Sequence, residues 1–598
     1  MDLKKLMQQI FAYNGPPTYK AFSLEETREE NRLSVDGDIK GDTVADKTNR
    51  NKFKKPRRPQ KSNTEREKTE EEARKENKEK NFSTSLEQNK EQMELLFHLP
   101  LNKDVVIRDF EVASSPPIPA FVIFLDGIAS TAMINSNILE PLMFLSFIQA
   151  EQKDPVLNCK TALLKHLPAN QVKEIYKYEE AVDAVTSGDS VIFLEGSNCA
   201  IACETKSFAA RTVGKASSEQ VVQGPQEGFV EAIRQNISLI RKIIHSENLI
   251  TEMLQVGSRN KSKVAVMYLV DLANPELVKE VKRRISQLKA DYIAEIGMLE
   301  EFIEHHPFAL VPQCLKTERP DRVAAHLVEG KVAVIIDGSP FVLIVPVDFF
   351  AFLHSPEDYY VRFPYGFWLR VLRVAAIFLT LLLPAFYIAV ATFHQEMIPT
   401  DLLLSISAAK ERVPFPSVME ILSMELAFEL IREAGVRVPG VIGATLGIVG
   451  TLILGQAAVS AAIVSPISII IVAVTGLASF AIPNYSLAFG FRFMRFIFIF
   501  LASVLGFFGI STGLFVLLIV LLSMKSFGAP FFAPVAPRTA RSTDIVMRFP
   551  IWTQEERPDF VQALDSRRQP KISRQWEKEK YAKGQSTNTE GEQDNGSK

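Results

Sequence analysis

The sequence predicts an α/β domain of two subdomains on the cytosolic side, followed by a polytopic α-helical membrane domain. Three observations carry this expectation. Between Val374 and Ser523 lie four or five apolar stretches of bilayer length. Ahead of them, from Leu95, short β-branched runs alternate with helical periodicity. The charged residues crowd towards the two ends of the chain, so the net charge of -2 averages over opposites and says nothing about nucleic acid.

Taken in order, residues 1–94 read as a charged, disordered tail. KFKKPRRPQK and EREKTEEEARKENKEK hold too little apolar surface to offset chain entropy. The basic run Lys52 to Lys61 suits anionic lipid, with a solvated tether as the simpler reading. MDLKKLMQQIFAY is too polar for a secretory signal, which places the following domain in the cytosol. Cys159, Cys199, Cys203 and Cys314 suit that reducing side; Cys199 and Cys203 lack a second pair to complete a zinc site and read as small apolar residues.

Residues 95–257 form the first expected subdomain. Its strands are Val105 to Phe110, Ala120 to Gly127, Ser190 to Gly196 and Cys199 to Glu204, the last two closing a hairpin through Gly196-Ser197-Asn198. Phe229, Ile233, Ile237, Ile240 and Ile244 share an arc of about 80° at roughly 100° per residue, an amphipathic helix. Asn236 lies inside that stripe and reads as a satisfied buried amide or subunit contact before a ligand contact. The second subdomain, residues 258–367, starts at a break near Arg259-Asn260-Lys261 with a strand from Lys263 to Asp271 and a helix from Pro275 to Leu288. Further on, Pro320 and Asp321 open a helix that Gly330 stops, and Asp337-Gly338-Ser339 turns a hairpin. This is a packed helix and hairpin without catalytic geometry.

The membrane domain, residues 368–537, holds spans at about 374–393, 441–460, 461–483 and 496–523. The last is one tilted helix or two segments broken around Gly506, Gly509 and Gly513. Arg362, Arg370 and Arg373 before the spans, with Lys525, Arg538, Arg541 and Arg548 after them, put both flanks in the cytosol and favour an even number of crossings. Arg492 and Arg495 then fall at the far face, paired or partly buried. Between the first two spans, Ser417-Val-Met-Glu420 reads as a capping box opening a helix to Gly435, along which Glu425, Glu429 and Glu433 recur at i, i+4 and i+8. Their repulsion costs a few tenths of a kcal/mol per pair unless water, cations or Arg432 offset it. A cation path is the functional reading and an interfacial helix with a solvated face the plain one. Gly443, Gly447, Gly450 and Gly455, and later Gly509 and Gly513, have the spacing of close helix packing. Residues 538–598 read as a cytosolic tail, disordered after about 565. No P-loop, HExxH, nucleophile elbow or dinucleotide fingerprint occurs, which argues against an enzyme, and no cofactor or metal is expected. His305-His306 is a poor chelate, since helical neighbours point about 100° apart.

Thr317 to Tyr360, TERPDRVAAHLVEGKVAVIIDGSPFVLIVPVDFFAFLHSPEDYY, resembles the signature of the A subunits of GerA-type germinant receptors of spore-forming bacteria. Similar blocks run through Gly224 to Ile244, Arg432 to Val459, Ser526 to Pro537 and Met547 to Phe560. The matching positions include Gly224, Pro225, Glu227, Gly228, Phe229, Arg319, Pro320, Asp321, Asp337, Gly338 and Pro340. Gln223 and Gln226 stand where the family usually places arginines. The resemblance implies a multi-pass subunit in the spore inner membrane, in contact with lipid, working with a transporter-like B subunit and a lipoprotein C subunit. It implies a protein that senses a nutrient directly or through partners, oligomerises and conducts ions. The alternative within the same resemblance is a stage V sporulation membrane protein serving cation or dipicolinate release without nutrient sensing.

Overall fold

The computed structural model describes residues 78–570, apart from 115, 145–166, 207–213, 438–454, 539–543 and 545–546. The tail through residue 77 with its basic run, Cys159, most of the 441–460 stretch with Gly443, Gly447 and Gly450, Arg541, and the chain after 570 lie outside the described residues. Among those described, residues up to 210 together with 237–253 form one compact unit, and 211–236 with 254 onwards form a second. The boundary expected at 257 is therefore more interleaved. Residues 214–229 hydrogen-bond to the 317–322 segment within the second unit, and the chain changes unit again within strand β6 (Leu249–Val256).

The first unit is built on a five-stranded sheet in the order β1-β2-β4-β5-β3. Its strands are β1 (Val105–Val112), β2 (Ile118–Leu125), β3 (Val172–Ile175), β4 (Ser190–Leu194) and β5 (Ala200–Cys203). The ladders β1–β2, β2–β4, β4–β5 and β3–β5 are all antiparallel, and β4 and β5 form the expected hairpin, with Ile192 opposite Ile201. Both faces are covered. Phe121, Ile123, Val191 and Phe193 pack on one side under Met93, Leu96, Val182 and Val185, while Val122, Phe124, Ile192 and Ile201 pack on the other against Ile138 and Leu142. That double burial is why β2 and β4 read as continuous apolar runs instead of alternating. Phe121 stacks on Phe193 at 4.7 Å, and each such buried ring contributes about 1.5–3 kcal/mol relative to exposure.

One expectation shifts here. The tail boundary at residue 94 moves back, because LEQNKEQMELL folds as helix α1 (Leu86–Leu96), with Met93 and Leu96 in the core and Phe82 stacked edge-on against Tyr178 and Phe193. Its charged residues hid three core positions. Arg241 was also missed. At 2% exposure it donates to Asp104 from Nε (2.8 Å) and Nη2 (2.9 Å), and to the Asn102 side chain and Leu249 carbonyl. Helix α2 (Tyr178–Thr186) packs on this sheet, and the chain changes unit within helix α3 (Ile233–Ile243). The buried Cys199 and Cys203 are free, and burial pushes the Cys203 thiol up to about 12, which keeps it inert.

The second unit carries a sheet in the order β6-β7-β9-β10-β8, with β7 (Ser262–Leu269), β8 (Leu315–Thr317), β9 (Val332–Ile336) and β10 (Val342–Val345). β7–β9, β9–β10 and β8–β10 are antiparallel, and every residue of β9 and β10 is buried. Helix α4 (Pro275–Ser286) begins with an Asn274 cap accepting from the Glu276 N–H and with proline at the first turn. Helix α5 (Ile296–Ile303) and helix α6 (Pro320–Val328) precede β8 and β9.

The same unit continues into helices α7 (Phe363–Thr392), α8 (Thr400–Lys410), α9 (Ser417–Arg437), α10 (Pro466–Phe480) and α11 (Tyr485–Ser523). Of these, α7 and α11 are long and apolar enough to cross a bilayer by length and composition. α11 is broken at Gly506, whose φ of 59° and ψ of -135° are non-helical. A Cβ on Gly513 would fall 2.8 Å from Leu501 and 3.1 Å from Phe498, contacts that a straight rise of about 1.5 Å per residue would forbid. The two arms fold back on one another. Gly506 lies beside Phe393 and His394 at the end of α7, whereas Gly490 lies against the Leu310 carbonyl. Arg492 and Arg495 lie on the first arm, between Gly490 and the bend.

Candidate functional site

Two clusters gather the residues the sequence singled out, both within the second unit. The first is a clasp around Arg319. This residue is fully buried and aims its planar fork at Asp321, with Nε at 3.0 Å and Nη2 at 2.7 Å. It also donates to the carbonyls of Pro225 (2.7 Å) and Glu219 (3.2 Å). Pro320 can open α6 because its missing N–H falls in the first turn, and this leaves Arg319 in extended backbone, pointing at the 214–229 segment. Arg322, one turn on, takes the Glu219 carboxylate at 2.7 Å and the carbonyls of Ala351 and His354. Thr317 donates to the other Glu219 oxygen at 2.6 Å, and Glu318 accepts from the N–H groups of Ser218 and Glu219.

Gly224 has φ of 119°, and a Cβ there would fall 2.4 Å from the Tyr360 ring, so only glycine lies flat on that tyrosine. Tyr360 donates to Asp321 at 2.5 Å; burial and this acceptor raise its phenol above the usual range. The Phe229 N–H donates to the Glu318 carbonyl and the Gly228 N–H to that of Gly214. Asp337 accepts from the Ile233 N–H, capping α3, and the Gly338 N–H, at a φ of 96°, donates to the Glu231 carbonyl. The geometry thus brings Gly224, Pro225, Gly228, Phe229, Arg319, Asp321, Asp337 and Gly338 together. Glu227 joins through a bridge to Lys215, while Pro340 is only partly buried beside the β9–β10 turn. Gln223 and Gln226 are exposed.

Asn236 is fully buried and its amide is satisfied by Val230, accepting at 2.8 Å and donating at 2.6 Å. Asn236→Ala is expected to cost about 1–3 kcal/mol, the penalty for orphaning buried backbone groups. Chemical denaturation would check it; a change under about 0.5 kcal/mol counts against this role.

A cavity of about 170 Å³ opens beside the clasp, walled by Arg322, His326, Glu329, Lys331, Asp348 and Gln554. Its charges are mostly paired: Lys331 lies 3.2 Å from Glu329, and His326 Nδ1 lies 3.0 Å from Lys331 Nζ. Burial pushes His326 down to about 4 and Asp348 up to about 6. Gln554 accepts from Arg568 but leaves its Nε2 without a partner.

The second cluster lies among the apolar helices. Arg495 of α11 and Glu425 of α9 are both fully buried and 2.8 Å apart. Glu429 is 3.1 Å from Arg495 and 3.4 Å from both Arg492 and Arg432. The carboxylates and arginines picked out separately in the sequence thus meet. Glu433 is exposed, so the three carboxylates do not share one environment. Glu425 Oε1, Arg495 Nε and Arg495 Nη1 lack hydrogen-bond partners. Glu420 does not close the expected capping box. Its carboxylate accepts from Ser465 N (2.8 Å) and Ser468 Oγ (3.0 Å), capping α10 instead of its own helix. A tertiary helix terminus offers the buried carboxylate two donors, which the local box cannot match. Gly476 packs against the Phe428 ring, where a Cβ would fall 2.5 Å away.

Two antiparallel-laddered sheets, the second followed by apolar helices that bury an arginine–carboxylate pair, define an α/β protein with a helical region. The chain belongs to the Bacillus/Clostridium GerA spore germination protein family, whose sequence profile matches residues 91–560. It is 40% identical over 474 residues to Spore germination protein KA of Bacillus subtilis (strain 168), covering 79% of this chain and 86% of that protein. It is 36% identical over 484 residues to Uncharacterized membrane protein YfkQ of the same organism, covering 81% and 92%. A crystal structure of the N-terminal domain of the A subunit of the Bacillus megaterium spore germinant receptor GerK3 matches 44% of this chain and 96% of its own, at 25% identity and a TM-score of 0.33.

Proposed function

We propose that this chain is the A subunit of a nutrient germinant receptor in the spore inner membrane. It associates with further copies of itself, with a transporter-like B subunit and with a lipoprotein C subunit, and it opens an ion-conducting path that triggers germination. Its helices cross the bilayer an even number of times with both flanks cytosolic.

The observation that carries this reading is the set of buried Glu425, Arg492 and Arg495 with the partly exposed Glu429, with polar atoms left over on Glu425 and Arg495. Charges inside apolar helices are expensive and are kept where an ion or a conformational change uses them. Arginines that hold the carboxylates in one state can release them in another, so that displacing the α/β units shifts the helices between closed and conducting packings.

The test is flux of monovalent cations through the receptor reconstituted with its partner subunits. Glu425→Gln and Glu429→Gln are expected to lower flux at least about tenfold at equal membrane content, as removal of a charge from an ion path should. Unchanged flux sinks the assignment. So does restoration of flux by the neutral pair Glu425→Gln/Arg495→Gln, which would show that the pair serves packing alone.

A further inference from the structure

Helix α5 and strand β8 are joined by a loop whose two ends carry side chains with no part in either cluster above. Glu300, on the inner face of α5, is 6% exposed, and its Oε2 lies 2.6 Å from Lys316 Nζ. Its Oε1 accepts from no donor among the described residues, and its carboxyl lies within hydrogen-bond reach of that of Glu304. Glu304 follows at i+4, on the same helix face. It accepts the Gln313 N–H at Oε1 (3.0 Å), leaving Oε2 free of that bond. Cys314, 1% exposed, stands immediately before β8. One ligand atom from each of Glu300, Glu304 and Cys314 lies within 4.8 Å of the others.

We propose that Glu300, Glu304 and Cys314 bind one transition-metal dication of the zinc class, which pins the two ends of the 304–314 loop. A tetrahedral ion with oxygen ligands at about 2.0–2.2 Å and sulfur at about 2.3 Å needs ligand atoms roughly 3.5 Å apart, a small inward closure from the observed spacing. Once the ion has displaced their protons, two carboxylates and a thiolate balance its two charges together with that of Lys316. The thiolate selects a softer ion over magnesium or calcium. Lys316 then acts from outside the ligand set, holding the Glu300 carboxylate in orientation. His305 does not compete, because Arg284 holds its ring at 2.8 Å.

The position gives the site its consequence. Leu310, within the loop, is the residue whose carbonyl abuts Gly490 of α11, and the Gln313 carbonyl accepts from Ser526 Oγ at 2.7 Å just after α11 ends. A bound ion therefore stiffens the surface on which both ends of that helix rest. The competing occupant is a proton shared by the two carboxyls, since burial and the neighbouring Glu300 raise Glu304 above the usual range.

The experiment uses the full-length chain in detergent micelles, stripped by chelator and titrated with Co²⁺. One equivalent is expected to give a thiolate-to-cobalt charge-transfer band, bleached by Zn²⁺. The triple variant Cys159→Ser/Cys199→Ser/Cys203→Ser keeps the band, Cys314→Ser abolishes it, and Glu304→Gln weakens Co²⁺ affinity at least tenfold. Wild-type melting of the variants in chelator shows that folding is intact; if Cys314→Ser fails this, Glu304→Gln and Glu300→Gln carry the test. No band in the wild type, a band surviving in Cys314→Ser, or unaltered affinity in both glutamate variants overturns the proposal in favour of the shared proton.

Discussion

Asp358→Ala is expected to destabilise the second unit by about 4 kcal/mol, because it strips two buried arginines of one carboxylate. Asp358 is fully buried between the signature and the first turns of α7. It takes Arg373 through both oxygens at 2.7 and 2.8 Å, and Arg370 Nε at 3.2 Å. Arg370 would keep Asp544, whose carbonyl and carboxylate accept at 2.8 and 3.2 Å, while Arg373 would keep only the Leu353 carbonyl. Asp358→Asn, which retains an acceptor oxygen without the charge, should fall in between. Denaturant titration of the purified chain measures both. A loss below about 1 kcal/mol for the alanine variant would mean that the arginines find water or other acceptors.

Arg319→Ala is expected to cost a similar amount, about 3–5 kcal/mol, and to act locally first. Its guanidinium links α6 to the Glu219 and Pro225 carbonyls, so its loss should release the 214–229 segment before the sheet melts. Hydrogen exchange at the Gly228 and Phe229 amides, bonded to Gly214 and Glu318, is the direct readout. Arg319→Lys should fail to rescue, since an ammonium cannot fork between Asp321 and two carbonyls. Protection unchanged at both amides in either variant would show that the clasp is held by Arg322 and Glu219 instead.

The strands β2, β4, β5 and β7 were legible because most of their residues are buried on both faces and so read as apolar runs, while β1, VVIRDFEV, was legible from its β-branched start. β3, with the sequence VKEI, and β8, with LKT, were not, since edge strands this short leave no pattern. The helix at Leu86–Leu96 was hidden by composition: its three buried residues are diluted by glutamates, glutamines and a lysine on the outer face. In the candidate site, types were legible and partners were not. Glu425 and Glu429 could be placed on one helix and Arg492 and Arg495 on another, but their meeting depends on how α9 and α11 pack, which no local spacing encodes. Glu219 had no signal at all. It becomes structural only because Arg322 and Thr317, about a hundred positions later, converge on it.

The fold-back of α11 at Gly506 makes that helix a stirrup. Its two feet stand on one step: Gly490 on the Leu310 carbonyl, and Ser526 between the Gln313 carbonyl and the Val347 N–H. A helix anchored at one end can swing or slide alone. One anchored by both feet is tied to the step twice, so the 304–314 loop bears on both arms of α11 at once.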